Sequence, residues 1–475
     1  MVMGELAQET ELLVIGAGPG GYAAAFRAAD LGLDVTMVDL SDRPGGVCLF
    51  RGCIPSKTYL FVSELIHDAR RAEAMGVAFG APRIDLDRLR SWKDEVVNKL
   101  AAGLMTLNRQ RGVQLLKGRA EFESPTRVRL HDADVSHIQF KSAILATGSH
   151  PTGFPGITRH RGSRIMTSTE ALELIEVPAT LLVIGGGYVG LELGSVYAAL
   201  GSRVTVVELG DRLLPGVDAD LVKVLARRLE NLFDSIRLKT QVVSLKEDAS
   251  GVAVQFAGNG DAAEERFDRV LVAIGRKPNS SGLNLGAAEV ALDEGGFVRV
   301  DDRQRTSNPK IYAIGDVVGG MMLAHKAARE GKVAAEVIAG EPSAFDVRAI
   351  PAVVYTDPQI AWCGLTEEQA RQRHQGVEIR RFPWKASGRA LTMGVDEGLT
   401  KMIVDQQTQR ILGVGIAGRN TEGLISEAVL AIEMGALAQD LALSIHPHPT
   451  LSETEGEVAE IFMGSATHVL SAKRK

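Results

Sequence analysis

The chain has 475 residues, 45% hydrophobic and 24% charged, enough apolar content for several cores, and is expected to fold as roughly three or four globular units. Its formal charge of −6, without a basic tract, argues against nucleic acid or an anionic membrane as partner, and no apolar run reaches membrane-spanning length. Three cysteines are too few for a disulfide scaffold and suit a reducing, cytoplasmic setting.

In chain order, Met1–Glu11 is acidic and lacks arginine, which reads as neither a secretory signal nor a transit peptide. Leu12-Leu13-Val14-Ile15 predicts a buried strand. It leads into Gly16-x-Gly18-x-x-Gly21, an alanine-rich helix from Tyr22 to Leu31, and a second strand from Asp34 that ends at Asp39. Strand, glycines, helix, strand and acid in that order make the dinucleotide-binding βαβ unit. The glycines let the backbone approach a pyrophosphate, the helix N-terminus favours its charge, and the acid accepts hydrogen bonds from ribose hydroxyls.

Next comes Gly45-Gly46-Val47-Cys48-Leu49-Phe50-Arg51-Gly52-Cys53-Ile54-Pro55-Ser56-Lys57. Two thiols at this spacing meet on a helix only if its first turn is distorted, and a bridge over so short a loop restrains the unfolded chain little. Redox chemistry fits that combination. Two other readings stand beside it: a metal site, short of ligands because the third cysteine is the distant Cys363, and a pair of unrelated buried thiols. No metal is expected.

The fingerprint then returns. Leu181-Leu182-Val183-Ile184 leads into Gly185-x-Gly187-x-x-Gly190, a helix to Leu200 and a strand ending at Glu208; in both copies the acid stands 23 residues after the first glycine (39 − 16 and 208 − 185). A doubled motif is far more specific than a single one. A carboxylate at Glu208 repels a 2′-phosphate, so this copy favours NAD over NADP, with Arg212 the nearest opposing cation. Each copy closes on a strand and glycine turn, Ile144–Gly148 and Leu271–Gly275. From first to closing glycine the copies span 132 and 90 residues, so the first carries about 42 extra residues, room for the cysteine loop and a helix around Asp94–Arg109.

Ile311–Asp316 is a further strand ending in Gly315-Asp316, and Met321-Met322-Leu323-Ala324-His325-Lys326 opens a helix. Asp316 suits either a polyol or an ordinary helix cap, and His325 reads equally as a helix-surface residue. From about Ile350 an α+β unit follows, with strands near Val353–Trp362, Lys401–Val404 and Ile411–Ile416 and a helix over Thr421–Glu433. It ends in Ile445-His446-Pro447-His448-Pro449-Thr450-Leu451-Ser452-Glu453. A carboxylate beside an imidazole fixes its tautomer and raises its basicity, as a general base requires; such pairs also occur as purely structural contacts.

Together Cys48-x4-Cys53-Ile54-Pro55-Ser56-Lys57, Gly185–Glu192, Gly315-Asp316, Met322–Ala327 and His448–Glu453 resemble the flavin-dependent pyridine nucleotide–disulfide oxidoreductases, and within them the branch that oxidises dihydrolipoyl groups. The resemblance covers nearly the whole chain. It implies an α/β fold of two Rossmann-like dinucleotide-binding domains plus a C-terminal α+β dimerisation domain. The units so implied are an FAD-binding domain over 1–150 carrying the redox-cysteine insertion, an NAD-binding domain over 151–279, a central domain over 280–348 completing the FAD site, and the dimerisation domain over 349–475.

The same resemblance implies that Gly16, Gly18, Gly21 and Asp39 hold a tight, non-covalent FAD, with Lys57 by the flavin and paired with Glu192. Ala120, Thr147, Gly148, Ser149, Asp316, Met322, Leu323, Ala324 and His325 would line the rest of that cofactor. Gly185, Gly187, Gly190, Glu192, Glu208, Val242 and Gly275 would bind NAD. Cys48 would exchange with substrate and Cys53 face the flavin, while His448, oriented by Glu453, would be the base supplied by the other subunit of a homodimer.

The implied activity is oxidation of protein-bound dihydrolipoyl groups through an active-site disulfide and FAD, reducing NAD+. The implied partner is a lipoyl-bearing acyltransferase or glycine-cleavage carrier protein, expected because no lipoyl domain precedes Leu12. Two alternatives are an NAD(P)H-dependent reductase of another low-molecular-weight disulfide and a non-catalytic NADH-binding flavoprotein scaffold. Glu208 disfavours the NADP-dependent reductases, and intact Cys48, Cys53 and His448 disfavour the scaffold. The chain departs from the family pattern at Val47 and Phe50-Arg51, at Asp39 in place of Glu, and at Ser387-Gly388. Arg51 between the cysteines favours a thiolate electrostatically.

Overall fold

The computed structural model describes residues 7–158, 160, 162–257 and 264–470; the first six residues of the Met1–Glu11 segment lie outside them. Two parallel sheets repeat one plan. In the first, Ala7–Ile15 lies between Val35–Asp39 and His137–Leu145, with Gln114–Lys117 beyond one and Ile311–Ala313 beside the other. In the second, Thr180–Ile184 lies between Arg203–Val207 and Arg269–Val272. Register repeats as well, Leu12 pairing with Val35 and Leu181 with Val204. Leu12, Leu13, Val14, Leu181, Leu182 and Val183 are fully buried, because a parallel strand is covered on both faces and therefore needs an unbroken apolar run.

The two copies differ in what joins their strands. The second has one helix, Ala219–Leu232, before its edge strand; the first has Gly46–Arg51, Cys53–Arg71 and Leu86–Gln110. The last is longer than the expected Asp94–Arg109 because Asp85 caps it, its carboxylate accepting from the Arg88 N–H at 3.0 Å. The first fingerprint helix begins at Pro19 rather than Tyr22, where a proline's fixed φ suits the opening turn. The helix expected to open at Met321 opens at Ala324, since Leu323 is still extended. Two antiparallel excursions are absent from the sequence expectations: the pair Arg119–Ser124 and Arg127–His131, and the sheet of Gln241–Asp248, Gly251–Ala257 and Glu264–Phe267. Bulges at Phe122/Ser124 and Val242/Ser244 interrupt their pairing, and a bulge breaks the two-residue alternation that betrays a strand.

The C-terminal unit is a five-stranded antiparallel sheet in the order Ala352–Val354, Gln359–Gly364, Ile411–Gly418, Leu399–Asp405, Val377–Pro383. Helices Thr421–Met434 and Glu453–Met463 close its core around Trp384, Phe382, Ile416 and Val458. Fully buried Lys401 joins this unit to the second nucleotide-binding half, its Nζ lying 2.9 Å from Asp218, 3.1 Å from Asp220 and 2.8 Å from Glu367. A cation so buried is tolerated only with such compensation. Among the described residues no helix is long and apolar enough to cross a membrane.

Candidate active site

The two thiols sit at the junction of two helices. Cys48 lies within Gly46–Arg51, the helix breaks at Gly52, and Cys53 is the first residue of Cys53–Arg71. A Cβ at Gly52 would stand 2.9 Å from the Val47 carbonyl oxygen, so only glycine lets the chain turn back closely enough for the sulfurs to meet. Leu49, Phe50 and Ile54 pack on Val97, Ala101 and Leu104 of the long helix, which anchors this corner. Both cysteines are free thiols. Their mutual interaction, then burial, pushes the Cys48 thiol far up; the same interaction, working against burial and aided by the Lys57 ammonium, brings Cys53 down to about 7. Cys53 at a helix N-terminus gains further from the aligned peptide dipoles. Exposed Arg51 ends the short helix.

The thiol corner is laid directly on the first glycine loop. The Gly45 N–H donates to the Ala17 carbonyl at 2.7 Å. Gly46 has φ +59, and a Cβ there would meet the Gly18 Cα at 2.6 Å. One turn into the cysteine helix, Lys57 Nζ lies 2.8 Å from Glu192 Oε2, on the second fingerprint helix. Glu192 is only 3% exposed, and its Oε1 accepts from the Tyr355 N–H at 2.9 Å. The Tyr355 ring stands under Lys57, with Nζ 4.4 Å from its centroid.

Both glycine loops have the form a dinucleotide needs. A Cβ on Gly16 or Gly21 would collide with the Ala146 or Gly16 carbonyl, and one on Gly185 or Gly190 with that of Ala273 or Gly185; these glycines serve close strand–helix packing. The middle glycines instead look outward: a Cβ on Gly18 would have only the Gly46 Cα at 4.0 Å, and one on Gly187 nothing within 4 Å. That open face over a helix N-terminus is where a pyrophosphate fits. Asp39 accepts from the Ala17 N–H at 2.7 Å and the Ser41 N–H at 2.8 Å; Glu208 accepts from the Gly186 and Gly210 N–H groups, both at 2.7 Å. The loops thus orient each acid, leaving oxygen lone pairs for ribose hydroxyls.

Around the closing turns, Thr147 Oγ1 donates to the Asn279 carbonyl at 2.8 Å and Asn279 Nδ2 returns a bond to the Thr147 carbonyl. Ser149 Oγ donates to Asp316 and accepts from Arg276 Nε at 2.7 Å. Gly148 and Gly275, at φ +72 and +117, face open space. Met322, Leu323 and Ala324 form the approach to the helix Ala324–Ile338, whereas exposed His325 donates from Nε2 to the Pro351 carbonyl at 2.7 Å. Ala120 and Val242 are buried strand residues whose side chains belong to the two cores. Sequence reasoning missed Tyr355 and Arg276, for which no local motif exists.

His448 and Glu453 form a separate unit. His448 Nδ1 is 2.8 Å from Glu453 Oε1, and the Thr450 N–H donates to Oε2 at 2.7 Å. Burial opposes ionisation of Glu453, but these two contacts hold its carboxyl below the ordinary carboxylate range. The imidazole is 74% exposed, and among the described residues no hydrogen bond or ion pair joins it to either thiol. In the same C-terminal unit Leu430, Met434, Leu443 and Ile445 are all strongly exposed, apolar side chains of the kind that a second subunit covers.

The chain is similar to known proteins over nearly its whole length. Residues 10–331 match the family model described as pyridine nucleotide-disulphide oxidoreductase, and residues 350–459 match the dimerisation domain of the same family. The chain is 47% identical over 469 residues to the dihydrolipoyl dehydrogenase of Haemophilus influenzae and 45% identical over 469 residues to that of Vibrio cholerae, covering 98% of each chain in both cases. Among solved structures it resembles LpdA from Mycobacterium tuberculosis, at a TM-score of 0.88 and 28% identity over 96% of this chain and 100% of that one. It also resembles the HOCl-induced flavoprotein disulfide reductase RclA of Escherichia coli, at 0.84 and 28% over 95% and 99%.

Proposed function

The chain belongs to the pyridine nucleotide-disulphide oxidoreductase family, and from that premise we propose that it oxidises dihydrolipoyl groups and reduces NAD+, as a homodimer with a tight FAD in each subunit. The observation that carries the reading is the Cys48–Cys53 pair lying against the first glycine loop with the Lys57–Glu192 pair behind it. Gly16, Gly18, Gly21, Asp39, Thr147, Gly148, Ser149 and Asp316 would hold FAD, and Gly185, Gly187, Gly190 and Glu208 would hold NAD. The four-unit division of the chain at 150, 279 and 348 belongs to the same reading. Bound FAD and NAD supply the electron relay that a protein lacks.

The chain's own residues handle thiols and protons. His448 Nε2, across the subunit boundary, takes the proton of one substrate thiol while Glu453 holds Nδ1. The thiolate attacks Cys48 Sγ of the oxidised pair, forming a mixed disulfide and expelling Cys53 as thiolate. The second substrate thiol then attacks the substrate sulfur of the mixed disulfide, closing the lipoyl disulfide and expelling Cys48. Cys48 takes that thiol's proton while His448 keeps the first one opposite the Cys53 thiolate. One dithiol becomes a disulfide, one enzyme disulfide becomes a dithiol, and sulfur and proton counts balance. Lys57 and the helix N-terminus stabilise the Cys53 thiolate, so the better leaving group is the one on the flavin side. A lipoyl-bearing acyltransferase or glycine-cleavage carrier is the proposed partner, in a reducing, cytoplasmic setting.

The test is NAD+ reduction by the purified holoenzyme with dihydrolipoamide, with reduced glutathione and NADP+ as controls. Turnover confined to dihydrolipoamide and NAD+ is expected. Tight flavin without dihydrolipoamide turnover would overturn the substrate assignment.

A further inference from the structure

We infer that Tyr355 is a positioning residue for the thiol centre: its main-chain N–H and its ring together hold Lys57 on Glu192 and so beside Cys53. A lysine–carboxylate contact with a half-open ammonium is ordinarily a loose one, because a long side chain loses entropy by holding a single geometry. Here two constraints remove that freedom. With Oε1 taken by the Tyr355 N–H and Oε2 by Lys57, buried Glu192 has no free oxygen with which to rotate away. The aromatic face, 4.4 Å from Nζ, then covers another side of the ammonium and attracts it through the ring quadrupole.

The alternatives open to Lys57 are on the page. A cavity of about 190 Å³ lies beside it, lined by Lys57 and Tyr355 and by Glu64, His67, Asp357 and Glu422. The ammonium therefore has both space and three other carboxylates to move toward. Tyr355 is itself fixed: Asp357, two residues on, accepts from Arg71 Nη2 at 3.1 Å, at the far end of the same helix that carries Cys53 and Lys57. The Ala352–Val354 strand end thus grips that helix at both ends and selects Glu192 over the carboxylates of the cavity.

The inference rests on the proposed reading of Cys53 and Lys57 as the flavin-side pair. Its test compares FAD-loaded wild type, Tyr355→Phe and Tyr355→Leu in the dithiol form, following against pH the long-wavelength charge-transfer absorbance of the Cys53 thiolate on oxidised flavin. The groups that act on Cys53 are Cys48, Lys57 and Glu192, with the phenols of Tyr22, Tyr188 and Tyr355 nearby. Tyr355→Phe removes only the phenol and should follow wild type. Tyr355→Leu should move the Cys53 midpoint to higher pH by about half a unit to one unit, a three- to tenfold loss of thiolate at fixed pH and the span of one lost cation–ring contact. Tyr355→Met preserves volume and replaces the leucine variant if that variant loses FAD. Lys57→Met should show the same shift, and adding Tyr355→Leu to it should change nothing further. An unshifted Cys53 in the leucine and methionine variants, or a phenylalanine variant as impaired as they are, would overturn the inference. Wild-type dihydrolipoamide turnover separates the two failures: its absence removes the proposed function, its presence without the shift removes Tyr355 alone.

Discussion

Glu453 holds His448 by one nitrogen only: Nδ1 is 2.8 Å from Oε1, and the imidazole is 74% exposed, so Nε2 is presented outward from the chain that owns it. That outward nitrogen is what the proposed reading of His448, as the base for a second subunit's thiols, requires.

That geometry predicts an effect on proton removal and none on cofactor retention. His448→Gln should lower the turnover of dihydrolipoamide by about 10²–10⁴-fold, the ordinary contribution of a general base, with flavin content unchanged. Mixing His448→Gln with Cys48→Ser subunits should restore part of the activity if the base acts across the interface. Absence of recovery in confirmed heterodimers would refute that arrangement.

The thiol pair should show its asymmetry in its titration. With Cys53 near 7 and Cys48 pushed far above it, the thiolate fraction of Cys53 falls as pH drops through about 7. The charge-transfer absorbance of a Cys53 thiolate on oxidised flavin in the dithiol enzyme should therefore fade below that pH. An absorbance unchanged well below pH 7 would contradict it.

Nucleotide choice should reside in Glu208. Its carboxylate is oriented by the Gly186 and Gly210 N–H groups at 2.7 Å. Glu208→Ala should raise the KM for NAD+ by about tenfold, as expected for a lost charge-assisted hydrogen bond, while relieving repulsion of a 2′-phosphate. Steady-state kinetics with NAD+ and NADP+ measure both. Equal NAD+ affinity in the variant would place the ribose elsewhere.

Glu455 carries a stability prediction. It is fully buried, both carboxyl oxygens lack a hydrogen-bond partner among the described residues, and burial together with Glu427 raises its carboxyl well above the ordinary 4.5. The folded chain thus holds this proton more tightly than the unfolded one. Its contribution is fully present below 4.5 and is lost as pH rises toward the folded value. Glu455→Leu should stabilise the protein by about 1–3 kcal/mol at neutral pH, the cost of an unsatisfied buried polar group, and flatten that part of the pH profile. Thermal unfolding across pH, with the variant no more stable than wild type at pH 7, would reject this account.

The amino-acid sequence alone determined what contiguous segments do. A dinucleotide cradle is one strand, one turn and one helix, so its glycines and acid stand at fixed spacing, twice over. Cys48 and Cys53 are bracketed by a short glycine-rich stretch, and His448 and Glu453 share one turn, so each pair was legible without a fold. Tertiary structure alone decided what distant segments do to one another. Tyr355 reaches Lys57, and Arg276 reaches Ser149, only because separate units dock, and no periodicity records such meetings. Glu455 makes the point most sharply. In Thr454-Glu455-Gly456-Glu457 it reads as a solvent-facing acid, yet it is fully buried. Burial is a property of what packs over a residue, and the sequence around it does not contain that.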